Sequence, residues 1–159
     1  MTRRDWMREA LALAKQAQLA GEVPVGAVVV HEGNIVARAR NERETTGDPT
    51  AHAEVLALRR AAAALGRRRL KGCTLVVTLE PCPMCAGAIA MSGIDEVLFG
   101  AYDPRCGCAG SLYNLPEDAA FGRVIPCSGG LLEAECQSVL DAFFDSRREI
   151  GRASCRERV

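Results

Sequence analysis

Three side chains have the types and spacing to hold a soft metal ion. They are His52, in Thr50-Ala51-His52-Ala53-Glu54, and Cys82 with Cys85, in Pro81-Cys82-Pro83-Met84-Cys85. Cysteines three apart on a starting helix share one face, so both sulfurs can reach one ion. The positive end of that helix favours the thiolate form that a metal requires. Sulfur together with imidazole selects zinc over magnesium or calcium. One histidine and two cysteines leave a tetrahedral ion one open position, which is the pattern of a catalytic zinc, because structural sites close all four. Glu54 is what an open zinc site needs next: zinc lowers the pKa of a bound water to about 7, and a nearby carboxylate can take and return its proton. Residues two apart do not share a face on a regular helix, so Glu54 must reach the site from the first turn. Alone, Cys-x-x-Cys is equally a redox or buried pair, and His-x-Glu recurs by chance. The two helix starts, the proline ahead of Cys82 and the order of the motifs together favour a catalytic zinc.

The elements that must position these residues are legible from periodicity. Met7, Ala10, Leu11, Ala14 and Ala17 recur at helical spacing over Asp5 to Leu19, with Gly21 as the stop. Val25 to Val30 is a nearly all-apolar run rich in valine, the mark of a buried strand. His31-Glu32-Gly33-Asn34 is a hairpin turn, and Ile35 to Arg40 the returning strand. Asn41 to Thr50 reads as a polar loop. A helix is expected from about Ala51 to Leu65, closed by Gly66, then a strand over Thr74 to Thr78 and a helix over Cys82 to Met91, stopped by Ser92-Gly93. Glu96 to Gly100 is a strand, Tyr102 to Pro116 a long loop, and Arg123 to Ile125 a short last strand. Leu131 to Arg148 is a final helix with Leu132, Cys136, Val139, Leu140 and Phe143 on one stripe. A hairpin followed by strand–helix alternation predicts a mixed sheet covered by helices on both faces. The helix starts near residues 51 and 82 follow loops leaving the sheet, where such proteins place their chemistry.

The chain has 159 residues, 48% hydrophobic and 25% charged, which is one ordinary globular domain and excludes fibrous, collagen-like and disordered classes. No apolar run approaches the roughly 18 residues of a membrane span. The apolar stretch Ala10 to Ala14 is too short for a secretion signal, so a cytoplasmic location is expected, where thiols stay reduced and the eight cysteines read as metal-binding or buried. Twenty basic residues balance twenty acidic ones, so no global field draws the protein to nucleic acid. Local patches at Arg67, Arg68, Arg69 and Lys71, at Arg3 and Arg4, and at Arg147 and Arg148 read first as solvated surface.

Over about residues 5–148 the chain resembles the bacterial tRNA-specific adenosine deaminases, within the cytidine/deoxycytidylate deaminase superfamily. The resemblance rests on EVPVGAVVV from Glu22, DPTAHAE from Asp48, TLEPCPMCAGAI from Thr78, FGAYDP from Phe99 and AGSL from Ala109. It implies an α/β fold, a three-layer α/β/α sandwich with a mixed central sheet of about five strands. It also implies one zinc ion per chain on His52, Cys82 and Cys85, with Glu54 shuttling protons. Asn41 would hydrogen-bond the flipped base, Asp103 would lie near the sugar–phosphate chain, and Val25, Leu79 and Phe144 would wall the base pocket. Without the family, Asn41 is a loop cap, Asp103 a turn-former before Pro104, and the other three plain core. Arg105-Cys106-Gly107-Cys108 departs from the lysine and small residues more frequent there. Arg105 keeps the positive charge and is expected to contact substrate, while Cys106 and Cys108 read as free thiols rather than a second metal site.

The implied activity is hydrolytic deamination of adenosine to inosine at the first anticodon position of tRNA, with tRNA-Arg bearing an ACG anticodon as the expected partner. The base must be extruded, because its reacting carbon is inaccessible while stacked. The alternative is a zinc deaminase of a free base or nucleoside such as guanine or cytosine. A silent zinc-stabilised RNA-binding module is opposed by the intact Glu54 and the open zinc position. A homodimer is expected, with Arg105 and the Arg67–Arg69 cluster supplying phosphate contacts, and no membrane partner. Residues 1–148 are assigned to the zinc-dependent deaminase domain. Residues 149–159, EIGRASCRERV, read as an in-frame translation of a sequencing-library adapter and as a non-native tail, so Cys155 is set aside.

Overall fold

A computed structural model describes residues 1–148; the adapter-like tail lies outside the described residues. The first helix, α1 (Arg3–Leu19), buries Met7, Ala10, Leu11, Ala14 and Ala17, the five positions its period picks out. It starts two residues before the expected Asp5 because Thr2 and Asp5 form a reciprocal capping box. Strand β1 (Gly26–His31) turns into β2 (Asn34–Arg40) through Glu32 and Gly33, both at positive φ, as a two-residue hairpin demands. The stretch expected to be a polar loop contains a short helix, α2 (Arg43–Thr46). Its free amides at Glu44 and Thr45 are met by the carboxylate of Glu22, a partner more than twenty residues away.

Helices α3 (Ala53–Leu65) and α4 (Pro83–Ser92) flank β3 (Cys73–Leu79), and Gly66 and Gly93 end the two helices in the left-handed conformation expected of them. β4 (Glu96–Ala101) is followed by the long loop and a 3-10 turn at Ala119–Phe121. The last strand, β5, is Cys127–Ser128 and not Arg123 to Ile125. Ile125 is instead fully buried and donates to Pro116 O, and the pairing with Val97 of β4 begins at Cys127. Helix α5 (Glu133–Arg148) closes the described chain.

The sheet order is β2-β1-β3-β4-β5. β1 runs antiparallel to β2 and β3, whereas β3, β4 and β5 are parallel. Five successive residues of β1, Gly26 to Val30, are buried, which requires cover on both faces. α1 and α5 touch each other and the sheet, and α3 packs on the sheet and against α4. This is the expected mixed five-stranded α/β/α arrangement. No helix among the described residues is long and apolar enough to cross a membrane.

The contact between α1 and β1 is close enough to demand glycine. A Cβ at Gly26 would fall 2.7 Å from Ala14 N and closer still to Ala10 O. Gly26→Ala is therefore expected to lower stability by about 2 kcal/mol or more, since a packed backbone must shift. A urea midpoint equal to that of the parent protein would show that α1 is not seated in this way.

Candidate metal centre and active site

The C-terminal ends of β2, β3 and β4 and the N-terminal end of β1 meet at one edge of the sheet. Two helices begin there. His52 is the N-cap of α3 and Cys82 the N-cap of α4, with Cys85 in the first turn of α4. Both positive helix ends thus face the same point, which favours thiolates. His52 Nδ1 lies 3.6 Å from Cys82 Sγ and 3.5 Å from Cys85 Sγ. Zinc–sulfur bonds of about 2.3 Å and zinc–nitrogen bonds of about 2.0 Å meeting at the tetrahedral angle place N and S roughly 3.6 Å apart. The three donor atoms lie within 4.8 Å of one another and all three residues are buried. The donor set fits one zinc ion in both chemistry and spacing, and no other metal-binding group of this kind occurs among the described residues.

Of the two thiols, Cys82 is held in the thiolate form that a metal binds. The Cys85 thiol donates to Cys82 and, with the His52 ring, overcomes burial to hold Cys82 down to about 4. Cys85 is correspondingly pushed well above the usual thiol range by Cys82 and by burial. Burial would lower the His52 pKa, but hydrogen bonding to Cys82 and the charges of Glu54 and Cys82 win and raise it. Burial, then the Cys82 charge, pushes the Glu54 carboxyl up to about 7. A divalent cation between these groups would lower all four, opposing the rises at Cys85, His52 and Glu54 and reinforcing the fall at Cys82.

Glu54 occupies the first turn of α3, only 4% exposed, and lines the same cavity as His52 and Cys82. The first-turn position is what lets it reach the site although residues two apart diverge on a helix. Val25 and Leu79 line this cavity, whereas Phe144 is not among its lining residues and packs edge-on against Phe143. Asn41 also lines it and is 3% exposed. Its Oδ1 accepts from Ala53 N at 2.8 Å and its Nδ2 donates to Val23 O at 3.0 Å. Asn41 therefore caps the very turn that carries His52 and Glu54. Asp103 is fully buried and its Oδ1 accepts from the amides of Arg105 and Cys106, the turn-forming role read from residues alone.

The inner cavity leaves room for about one water molecule, about 10 Å³, and adjoins a recess of about 510 Å³ that shares His52 and Cys82 with it. Arg105 lines the recess, and so do Arg43, Pro49, Met84 and Leu112. Arg43 carries no signal in the sequence because it sits in a stretch that reads as featureless loop. The Arg67–Arg69 cluster, by contrast, follows the far end of α3, a helix of thirteen residues and so about 20 Å from the metal donors. Arg67 there donates to Lys71 O beside His31. Within one chain the cluster is not among the residues that line the recess with Arg105. Cys108 is a buried free thiol, as expected; Cys106 is disulfide-bonded, which corrects the free-thiol reading for that residue.

Two buried carboxylates stand out only in the folded chain. Glu22 is 1% exposed and accepts from the amides of Glu44 and Thr45 and from the Thr45 hydroxyl. Burial opposes its charge, but these bonds prevail and hold its pKa below the usual value. Glu80 is likewise 1% exposed and collects the loop after β4. The available signal for Glu80 is a lone acid between a buried, largely apolar strand and Pro81.

Residues 1–101 match the cytidine and deoxycytidylate deaminase zinc-binding region, and the chain belongs to that family. It is an enzyme family that works with zinc, in agreement with the donor set described above. Among curated relatives, a tRNA-specific adenosine deaminase of Bacillus subtilis is 50% identical over 149 residues, covering 94% of this chain and 92% of the relative. A solved tRNA:A34 deaminase, which edits A to I at the wobble position, superposes with a TM-score of 0.83 at 40% identity over 86% of this chain and 99% of that one. A guanine deaminase of Nitrosomonas europaea shares the fold with a TM-score of 0.76 at 27% identity, over 88% and 83% of the two chains.

Proposed function

We propose that this protein hydrolyses adenosine to inosine, with release of ammonia, at the first anticodon position of a tRNA, tRNA-Arg with an ACG anticodon being the substrate to test first. The observation that carries the proposal is the open-sided site: among the described residues His52 and Cys82 border a recess flanked by Arg43 and Arg105, and behind them lies the small cavity that Glu54 lines. A nucleotide still attached to its chain can present a base edge there while guanidinium groups meet the phosphates. The 50% identical tRNA-specific relative supports a tRNA substrate over a free purine.

His52, Cys82 and Cys85 would hold a zinc ion, which would supply a water whose pKa is lowered to about 7. Glu54 would take a proton from that water and give it to N1 of the adenine ring as the oxygen bonds to C6. It would then move the proton of the new C6 hydroxyl to the amino nitrogen, so that the C6–N bond breaks, ammonia leaves and the C6 carbonyl of inosine remains. Burial keeps the Glu54 carboxyl dry and close, so the same group serves successive transfers. Asn41 holds the turn of α3 that aims both His52 and Glu54 and has a second amide hydrogen left for the base.

The active form is a homodimer in this proposal. Helix α4, PMCAGAIAMS, carries no charge on any face, yet only Cys85, Ala86 and Ile89 are buried and Met91 is 86% exposed. A helix apolar all round belongs against protein on all sides, and small residues let a second chain approach.

Zinc-loaded protein incubated with unmodified tRNA-Arg is expected to yield inosine, with RNA binding that weakens steeply as salt rises. No inosine, together with ammonia release from guanine, would replace the tRNA substrate by a free base. Light scattering that shows a monomer during full tRNA turnover would remove the dimer.

A further inference from the structure

From the bonding of Glu80 we infer that this residue is a positioning residue for nucleic-acid recognition: its buried carboxylate sets the shape of the 103–111 loop and so aims Arg105 and Leu112 into the recess beside the metal donors. The inference rests on the proposed tRNA substrate. Glu80 Oε1 accepts from Asp103 N at 2.9 Å and from the Ser111 hydroxyl, and Oε2 accepts from Ala109 N at 3.1 Å and Ser111 N at 2.8 Å. A carboxylate has about four acceptor sites, and all are taken by one loop. The loop wraps so closely that a Cβ at Gly107 would collide with the Glu80 carboxyl carbon. Cys108 N also donates to Pro81 O at 2.8 Å, and Pro81 leads directly into Cys82.

The loop and the metal ligand thus share one anchor. Between the Glu80 contacts to Asp103 and Ala109 the chain has no other acidic anchor than the Asp103 side chain, which accepts from Arg105 and Cys106 within the loop itself. Without the Glu80 charge the loop keeps its internal turn and the bond from Cys108 N to Pro81 O but loses the carboxylate that gathers Asp103, Ala109 and Ser111. Recognition of an extended substrate suffers from such a shift, because Arg105 and Leu112 line the recess. Proton transfer by Glu54 does not, because Glu54 is set by α3.

Glu80→Gln is the direct test, since a neutral amide keeps the shape but turns two hydrogens toward amide donors. On an anticodon stem-loop RNA, KM is expected to rise roughly 10- to 100-fold, with kcat within about threefold and zinc still at one per chain. Ser111→Ala removes one of the four bonds and should move KM in the same direction by a smaller factor. It should add nothing further in the Glu80→Gln background, because both changes act on one contact. If Glu80→Gln does not fold, the graded KM shift of Ser111→Ala with unchanged kcat carries the test alone. Unchanged KM in a folded variant, or a loss confined to kcat, overturns the inference. Absence of RNA deamination by the parent protein overturns the proposed substrate instead, so the two failures are distinct.

Discussion

Glu54→Ala is expected to keep one zinc per chain and to lose about 10²–10⁴-fold or more in turnover. That range is the typical contribution of a single general acid–base group, and here one carboxylate is asked to serve several proton transfers. Glu54 is not among the three donors that lie together, so metal content should be unaffected. Its burial makes the effect large: at 4% exposure no bulk water stands in for the missing group. Glu54→Gln separates shape from proton transfer, and it should be as inactive as the alanine variant while retaining parent stability. Near-normal turnover at full zinc occupancy in either variant would show that another group moves the protons.

Cys85→Ser should abolish zinc binding and, with it, both activity and a substantial part of stability. Cys85 is completely buried in the first turn of α4, and its sulfur lies 3.5 Å from the His52 ring. A bound ion stabilises the folded state by about 4 kcal/mol when present at 1,000 times its dissociation constant. The parent protein should therefore melt at a lower temperature after chelation and recover when zinc is restored, and Cys85→Ser should melt low in both conditions. Cys108→Ser is the control. Cys108 is also buried and lines the neighbouring recess, but it is not among the donors. Zinc should remain at one per chain in that variant. A second equivalent of zinc in the parent protein that disappears with Cys108 would make the loop a metal site of its own.

The metal ligands and Glu54 are legible in the sequence because the information is local. Each motif spans three to five residues at a helix start, and the ends of α3 and α4 are marked by Gly66 and Gly93. The buried face of α1 is equally plain, since helical period reports burial whatever the partner. The assembly of His52 with the two cysteines is expected from chemical type and from the family likeness; the 3.5–3.6 Å spacing that fits a tetrahedral ion belongs to the folded chain.

What stays hidden depends on partners far apart in sequence. Helix α2 exists where Glu22 meets the amides of Glu44 and Thr45, and nothing in the stretch from Asn41 to Thr50 announces that carboxylate. β5 begins at Cys127 because the edge of β4 sets where pairing starts, not because Arg123 to Ile125 lacks strand character. Nothing in the sequence separates Arg67 to Arg69 from Arg105 in space, whereas the thirteen residues of α3 set the cluster at the far end of that helix from His52. Glu80 shows locally as a lone acid after a strand, and its role stays hidden because its four hydrogen-bond donors arrive from a loop 23 to 31 residues later. Composition and local period thus determine which residues can do chemistry and which faces are buried. Which buried charge meets which amide is decided by chain closure around the sheet, since a hydrogen bond acts over about 3 Å whatever the distance along the chain.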